Sequence, residues 1–112
     1  MKQITAIIKP FRLNEVRDAL NAIGVSGLTV TQVQGYGRQR GQGAVYRGPE
    51  YEVKFIPKLK VEVLVANEHA EKVFETILKE ARTGQLGDVK IYVQDVEKVA
   101  RIRTGELDGD AV

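Results

Sequence analysis

An α+β sandwich of four strands and two helices is the fold class this 112-residue chain predicts, and three observations carry it. Apolar residues alternate with period two in four short segments. They recur at helical spacing in two others. The two helical segments each fall between strand segments, giving the order βαββαβ.

The first strand is Ile4, Ala6 and Ile8 alternating with Thr5, Ile7 and Lys9, ended by Pro10. Asn14 is placed to cap a helix carrying Val16, Ala19, Leu20 and Ile23, with Gly24 where a left-handed C-terminal cap belongs. Leu28 to Val33 is rich in β-branched residues and reads as the second strand. Lys60 to Val65 alternates again as the third. Asn67 is placed to cap a second helix, with Ala70, Val73, Phe74, Ile77, Leu78 and Ala81 on one face. Residues 83–89 form a glycine-containing loop, Ile91 to Val96 is the fourth strand, and the chain ends in a polar, then acidic segment. Right-handed crossovers put both helices on one sheet face, a ferredoxin-like sandwich in which the second and third strands are hairpin neighbours. The other face would carry Thr5, Ile7, Thr29, Thr31, Val33, Glu62 and Leu64. A half-apolar face of this kind points to an oligomer that covers it.

Between the second and third strands runs Gly35 to Tyr51, with five glycines, three arginines, three tyrosines and Pro49. Its composition predicts no regular element. A loop this long in a small domain is functional or disordered as a rule.

Composition excludes several functions. Seventeen Lys and Arg against fifteen Asp and Glu leave a net charge of +2, too little for bulk electrostatic binding of nucleic acid. Without cysteine there is neither a disulfide framework nor a thiolate metal site. With His69 alone, histidine clusters and a Ser/His/Asp set are excluded, and its place in the first turn of a helix reads as surface. The acidic residues form no general acid/base pair, so no enzyme is expected. No apolar run approaches a membrane span, and the N-terminus lacks signal-peptide anatomy, so a cytoplasmic protein is expected. An RNA-recognition motif shares the element order but stacks bases on aromatic residues of its first and third strands. Those strands have none here, so no nucleic-acid partner is expected.

Glycine loops also suggest phosphate. Gly35-Tyr-Gly37 begins a dinucleotide fingerprint, but Arg40 takes the third glycine position. Gly43 to Gly48 has P-loop spacing, but Pro49-Glu50 follows in place of Lys-Ser/Thr. A looser site is open to the residues. Backbone N–H groups near Gly37 and Gly87, with Arg38, Lys90, Arg101 and Arg103, could cradle a polyphosphate. The competing reading makes Arg101 and Arg103 solvated charges of a tail.

Five blocks in order then resemble one family over nearly the whole chain. Ile7-Ile8-Lys9-Pro10-Phe11 is similar to the start of the PII signal transduction proteins. Gly35-Tyr-Gly-Arg-Gln-Arg-Gly41 is similar to the base of their T-loop, and Tyr46-Arg-Gly-Pro-Glu-Tyr51 to its tip. Thr83-Gly84 with Gly87-Asp88 and Lys90 resembles the B-loop, and Arg101-Ile-Arg-Thr-Gly-Glu106 the C-loop. The resemblance implies one PII-like domain over 1–112, with the T-loop at 37–55, the B-loop at 82–90 and the C-terminal segment at 101–112. It implies a homotrimer in which ATP and ADP compete for clefts between subunits. Thr29 and Leu64 would lie against the adenosine. Gly37, Arg38, Gly87, Asp88, Val89 (by its backbone) and Lys90 would hold the nucleotide, with Arg101 and Arg103 from a neighbour. Gln39 would ligate Mg²⁺ carried by ATP. Lys58 would pair with a carboxylate of 2-oxoglutarate, with Lys9, Gly41 and Gly87 close by. Tyr51 would be open to uridylylation or adenylylation. The implied function is to sense ATP, ADP and 2-oxoglutarate and to regulate an ammonium transporter or nitrogen-metabolism enzymes through the T-loop.

The chain departs from the family at three places. Pro49 excludes phosphorylation of a serine there, and Gln42-Gly43 replaces a common His-Thr pair. Val89 stands at a B-loop glycine position, where a β-branched residue is expected to restrict the backbone and crowd the phosphates. The alternative reading it carries is a divergent trimeric binding scaffold with weakened nucleotide response.

Overall fold

The computed structural model describes residues 1–40 and 51–112, and the side chains of residues 1–36 and 55–112. In chain order it has β1 (Lys2–Ile8), α1 (Leu13–Ala22), β2 (Thr29–Arg40), β3 (Tyr51–Val65), α2 (Asn67–Ala81) and β4 (Ile91–Asp95), with 3₁₀ turns at Pro10–Arg12 and Asp108–Asp110. The strands form one antiparallel sheet in the order β2-β3-β1-β4. This is the α+β, ferredoxin-like arrangement that the alternation of strand and helix patterns predicts.

The period-two pattern decides which face is buried. Ile4, Ala6 and Ile8 of β1 and Val61, Val63 and Val65 of β3 point to the helices. There they meet Val16 and Leu20 of α1 and Val73 and Ile77 of α2. Each buried aliphatic side chain contributes about 1.5–3 kcal/mol by leaving water, which fixes the register against a one-residue slip.

Helix starts differ from the sequence expectation. Neither asparagine caps. Arg12 is the N-cap of α1 and Ala66 that of α2, and neither makes a side-chain cap bond. Pro10 is the reason in the first case. Its fixed φ suits a helical first turn, so winding starts before Asn14, and the Arg12 N–H already bonds the Lys9 carbonyl at 3.0 Å. In the second case the His69 N–H bonds the Ala66 carbonyl at 3.0 Å, so Asn67 is already helical. The end of α1 is as expected. Gly24 N–H bonds Asn21 O and Val25 N–H bonds Leu20 O, a Schellman closure.

The larger difference is strand length. Pairing of β2 with β3 runs from Thr29↔Glu62 to Arg40↔Tyr51, so both flanks of the glycine-rich segment are strand. Ladder bonds need no side chain, so glycines lower strand propensity without preventing pairing. A cross-strand aromatic pair supports the extension. Tyr36 and Phe55 are in register, with ring centroids 4.8 Å apart and planes tilted by 50°. Pairing of β3 with β1 ends at Leu59, so Pro57 falls where β3 has no neighbour on that side.

The face away from the helices carries the residues expected there. Register sets Thr29 opposite Glu62, Glu62 opposite Thr5, and Leu64 opposite Gln3. Thr5 lies at its centre and is buried between Glu62 and Tyr92. Gln3 donates to Glu62 at 2.6 Å and to Thr5 at 3.3 Å. Leu64 and Tyr92 remain 44% exposed, an apolar surface that the single chain leaves uncovered.

Candidate functional site

One end of this open face is a cationic corner. β3 places Lys58 opposite Val33 of β2, and the residue is 6% exposed. Its stem lies along Gly35, where a Cβ would sit 3.3 Å from Lys58 Cγ. Lys58 Nζ donates to the Gly87 carbonyl at 2.7 Å. Lys9, just past β1, reaches the same place. Its Nζ donates to the Thr83 hydroxyl at 2.9 Å and lies 3.4 Å from Asp88 Oδ1.

Gly87 is the hinge of the corner. Its φ of +99° is one that glycine adopts without strain. A Cβ there would stand 3.0 Å from Lys9 Cε and 3.1 Å from Lys58 Nζ. Both lysines therefore pass through space that only glycine leaves open. Burial pushes the Lys58 ammonium below its ordinary pKa of 10.5. The Lys9 charge pushes the same way and Asp88 opposes. Asp88 is held well below the usual carboxylate range, first by the Thr83 hydroxyl, then by the Thr83 and Gly84 N–H groups and Lys9, against a desolvation cost. Two cations beside one internally bonded carboxylate make a corner that favours an added anion.

The other end of the open face is a groove of about 890 Å³. Gln3, Thr29, Glu62 and Leu64 line it from the sheet, Arg101 from the C-terminal segment, and His69 and Lys72 from α2. From Lys58 to Leu64 is six residues of strand, roughly 20 Å at about 3.3 Å per residue.

The C-terminal segment is a closed turn whose arginine side chains remain exposed. Ala100 bridges Leu107, Arg101 N–H bonds Glu106 O at 2.8 Å, and Gly105 N–H bonds Arg101 O at 2.7 Å. The Arg101 guanidinium bonds Ala111 O at 3.4 Å and lies 3.9 Å from Glu106. Arg103 and Ile102 at its tip are exposed.

The structure thus gathers Lys9, Lys58, Gly87 and Asp88 at one end, with Val89 and Lys90 following in the chain. It gathers Thr29, Leu64 and Arg101 at the other. Gly37 lies in β2 opposite Lys54. The side chains of Arg38, Gln39 and Tyr51, and all of Gly41, lie outside the described residues. Val89 is not among the residues with positive φ, so its backbone carries no left-handed strain. Its side chain borders a small groove with Leu78 and Ala81 of α2. Sequence reasoning passed over Thr83, Gly35, Glu62 and Gln3 as site residues. Thr83 had a signal, an Asp five residues on in a glycine loop. The other three show only through strand register.

Among the described residues, no group of three His, Asp or Glu side chains converges, and no helix is long and apolar enough to cross a membrane.

Comparison with known proteins bears on the whole of this geometry. The sequence model of the family described as Nitrogen regulatory protein P-II matches residues 1–106. A nitrogen regulatory protein P-II of Rhizobium etli is 56% identical over 112 residues, all of both chains. One of Azospirillum brasilense is 53% identical over the same full length. The nitrogen regulatory protein GlnK of Escherichia coli K12 is 51% identical over 112 residues, again all of both chains. These relatives are named for regulation and not for a reaction. The ferredoxin-like sheet and a match over 106 residues lead to one conclusion: the chain belongs to the P-II family of nitrogen regulatory proteins, and it is a signal-transduction protein rather than an enzyme.

Proposed function

We propose that this P-II protein is a cytoplasmic trimer that senses ATP, ADP and 2-oxoglutarate and reports their levels through residues 37–55. The observation that carries the reading is the buried Lys58, flanked by Lys9 and turned onto left-handed Gly87. A buried ammonium held by one carbonyl keeps part of its desolvation cost. A dicarboxylate set between two lysines offsets that cost, and a 2-oxo acid such as 2-oxoglutarate has the charge for it.

The nucleotide would bridge two subunits. Thr29 and Leu64 take the adenosine in the groove of one, with Arg101 and Arg103 reaching the phosphates. The B-loop of the next, Gly87 to Lys90 with Gly37 and Arg38, takes the phosphates from the other side. Two half-sites about 20 Å apart on one strand meet only when open faces pack around an axis. No carboxylate cluster offers itself to a metal among the described residues, so Mg²⁺ would enter on the phosphates and take Gln39 as a ligand. Lys58, Lys9 and Gln39 would then hold 2-oxoglutarate beside the Mg²⁺-bound ATP.

Each effector acts only through its different affinity for alternative T-loop states. The segment is glycine-rich, so ordering it costs much chain entropy and a ligand that offsets the cost works as a switch. Residues 46–51 would present the output surface to an ammonium transporter or nitrogen-metabolism enzymes, with Tyr51 as the group open to uridylylation or adenylylation. Val89 leaves this reading intact, because its backbone is unstrained.

Calorimetry tests the reading. Heat from 2-oxoglutarate is expected only when ATP and Mg²⁺ are present. Equal binding without them would remove the roles given to Gln39 and Lys58. No heat from ATP, restored by Val89→Gly, would favour the nucleotide-weakened scaffold.

A further inference from the structure

An acidic side chain in an anion-binding corner needs an explanation, because its charge repels the ligand. Asp88 supplies one through its contacts. Its Oδ2 accepts from the N–H groups of Thr83 at 2.9 Å and Gly84 at 2.8 Å. Its Oδ1 accepts from the Thr83 hydroxyl at 2.6 Å and faces Lys9 Nζ at 3.4 Å. A carboxylate has about four lone-pair sites, and these four donors fill them. None is left for a ligand.

We infer that Asp88 is a positioning residue: its carboxylate closes the turn from Thr83 to Asp88, holds Lys9, and through its neighbour Gly87 aims the carbonyl that orients Lys58. The inference rests on the proposed reading of this corner as the oxo-acid site. The sequence position matters. Fixing residue 88 fixes the direction of the peptide before it, and that peptide carries the Gly87 oxygen 2.7 Å from Lys58 Nζ. One carboxylate thereby sets both lysines, Lys9 by direct pairing and Lys58 by one carbonyl.

The charge of Asp88 adds a signature that a purely structural brace would lack. Among the described residues, the charged groups that face Lys58 are Lys9 from the end of β1 and Asp88 from the 83–88 turn, whereas β2 presents Val33 and Gly35. Removing Asp88 takes away the one contribution that raises the Lys58 pKa, and removing Lys9 takes away one that lowers it. The two variants must therefore move Lys58 in opposite directions.

The test begins with the ligand-free full chain. In Asp88→Asn, amide exchange of Thr83 and Gly84 is expected to rise by about tenfold or more while that of α2 stays unchanged, since only the local closure is lost. The Lys58 titration, followed by NMR of its side chain, is expected to move down in Asp88→Asn and up in Lys9→Gln. With Mg²⁺ and ATP present, 2-oxoglutarate affinity is expected to fall about 10–100-fold in Asp88→Ala, the range for partners that orient a liganding group. Unchanged exchange in Asp88→Asn, or Lys58 shifts of the same sign in both variants, would overturn the inference. So would wild-type affinity in Asp88→Ala. If the wild-type protein bound no oxo acid, the proposed function would fall, and the exchange and titration results would still decide the role of Asp88.

Discussion

The two ends of the open sheet face are built differently. At the Lys58 end three charged side chains have partners within the chain: Lys58 on Gly87, Lys9 on Thr83 and Asp88, Asp88 on its own turn. At the Leu64 end the groove is wide, Leu64 is 44% exposed, and Arg101 has only a long bond to Ala111 and a distant Glu106. The first end is preorganised and loses little on receiving an anion. The second has an exposed apolar wall and a cation that, under the proposed function, a neighbouring subunit completes. Under the proposed function, one ligand is read by a rigid corner and another across an interface, and geometry would join the two signals.

Removing the rigid end should have the largest effect. Lys58→Met keeps the stem along Gly35 and deletes the ammonium. Binding of 2-oxoglutarate by calorimetry should weaken by about 100-fold or more, because a buried charged hydrogen-bond partner of the ligand is lost. The wild-type corner also predicts a proton count. Burial lowers the Lys58 pKa, so Lys58 opposes folding while charged, and that cost is relieved as pH rises through the lowered value toward 10.5. A bound dianion favours the charged form again. Binding should thus take up protons as pH approaches the lowered Lys58 value, read as a dependence of the binding heat on buffer ionisation enthalpy, and Lys58→Met should abolish the uptake.

Gly87→Ala comes next. The methyl group would be strained at φ +99° by about 1–2 kcal/mol. It would also displace both lysine ends, which are flexible enough to move and so cost stability little more. The loss should fall on binding: a small change in melting temperature, and a drop of about tenfold or more in oxo-acid affinity. A large drop in stability with unchanged affinity would mean that the corner is not preorganised as described.

Most of this architecture is legible in the sequence. The period-two segments and two amphipathic helices give the sheet order and core, because burial of Ile4, Val61 and Leu20 dictates the faces. Gly87 is readable from its glycine loop, whereas Lys9, Lys58 and Asp88 follow only from the family resemblance, since the four come from three separated segments that only the fold unites. The helix starts were misread because Pro10 begins the winding before Asn14. The strand extension was hidden because ladder pairing leaves no mark on glycine-rich composition, and only the Tyr36–Phe55 pair hints at it. The closure by Asp88 was missed because Asp in a glycine loop reads as a turn residue until its four donors are seen.

The open end predicts complementation. Arg101→Ala should weaken ATP binding by about tenfold, as loss of one charged contact does. Mixed after denaturation and refolding with Lys58→Met chains, it should recover coupled ATP and 2-oxoglutarate binding at about a quarter of the sites, if each site joins neighbouring subunits of a ring. No recovery would place both ends of the site in one chain and would reverse the comparison.

Val89→Gly should have the smallest effect. A valine at a glycine position invites the expectation of strain and crowding, and such a change would then improve nucleotide binding markedly. Here the backbone at 89 has no positive φ, and the side chain borders Leu78 and Ala81 on the helix side of the loop. The substitution therefore relieves no strain. It removes a half-exposed apolar contact and gives the loop more freedom when unbound. ATP affinity should change by no more than about twofold, within the roughly 0.5 kcal/mol expected of a surface position. Melting temperature should fall slightly rather than rise. A gain of tenfold or more in ATP affinity would show that the valine obstructs the phosphates, and that the preorganised end carries a defect this geometry does not contain.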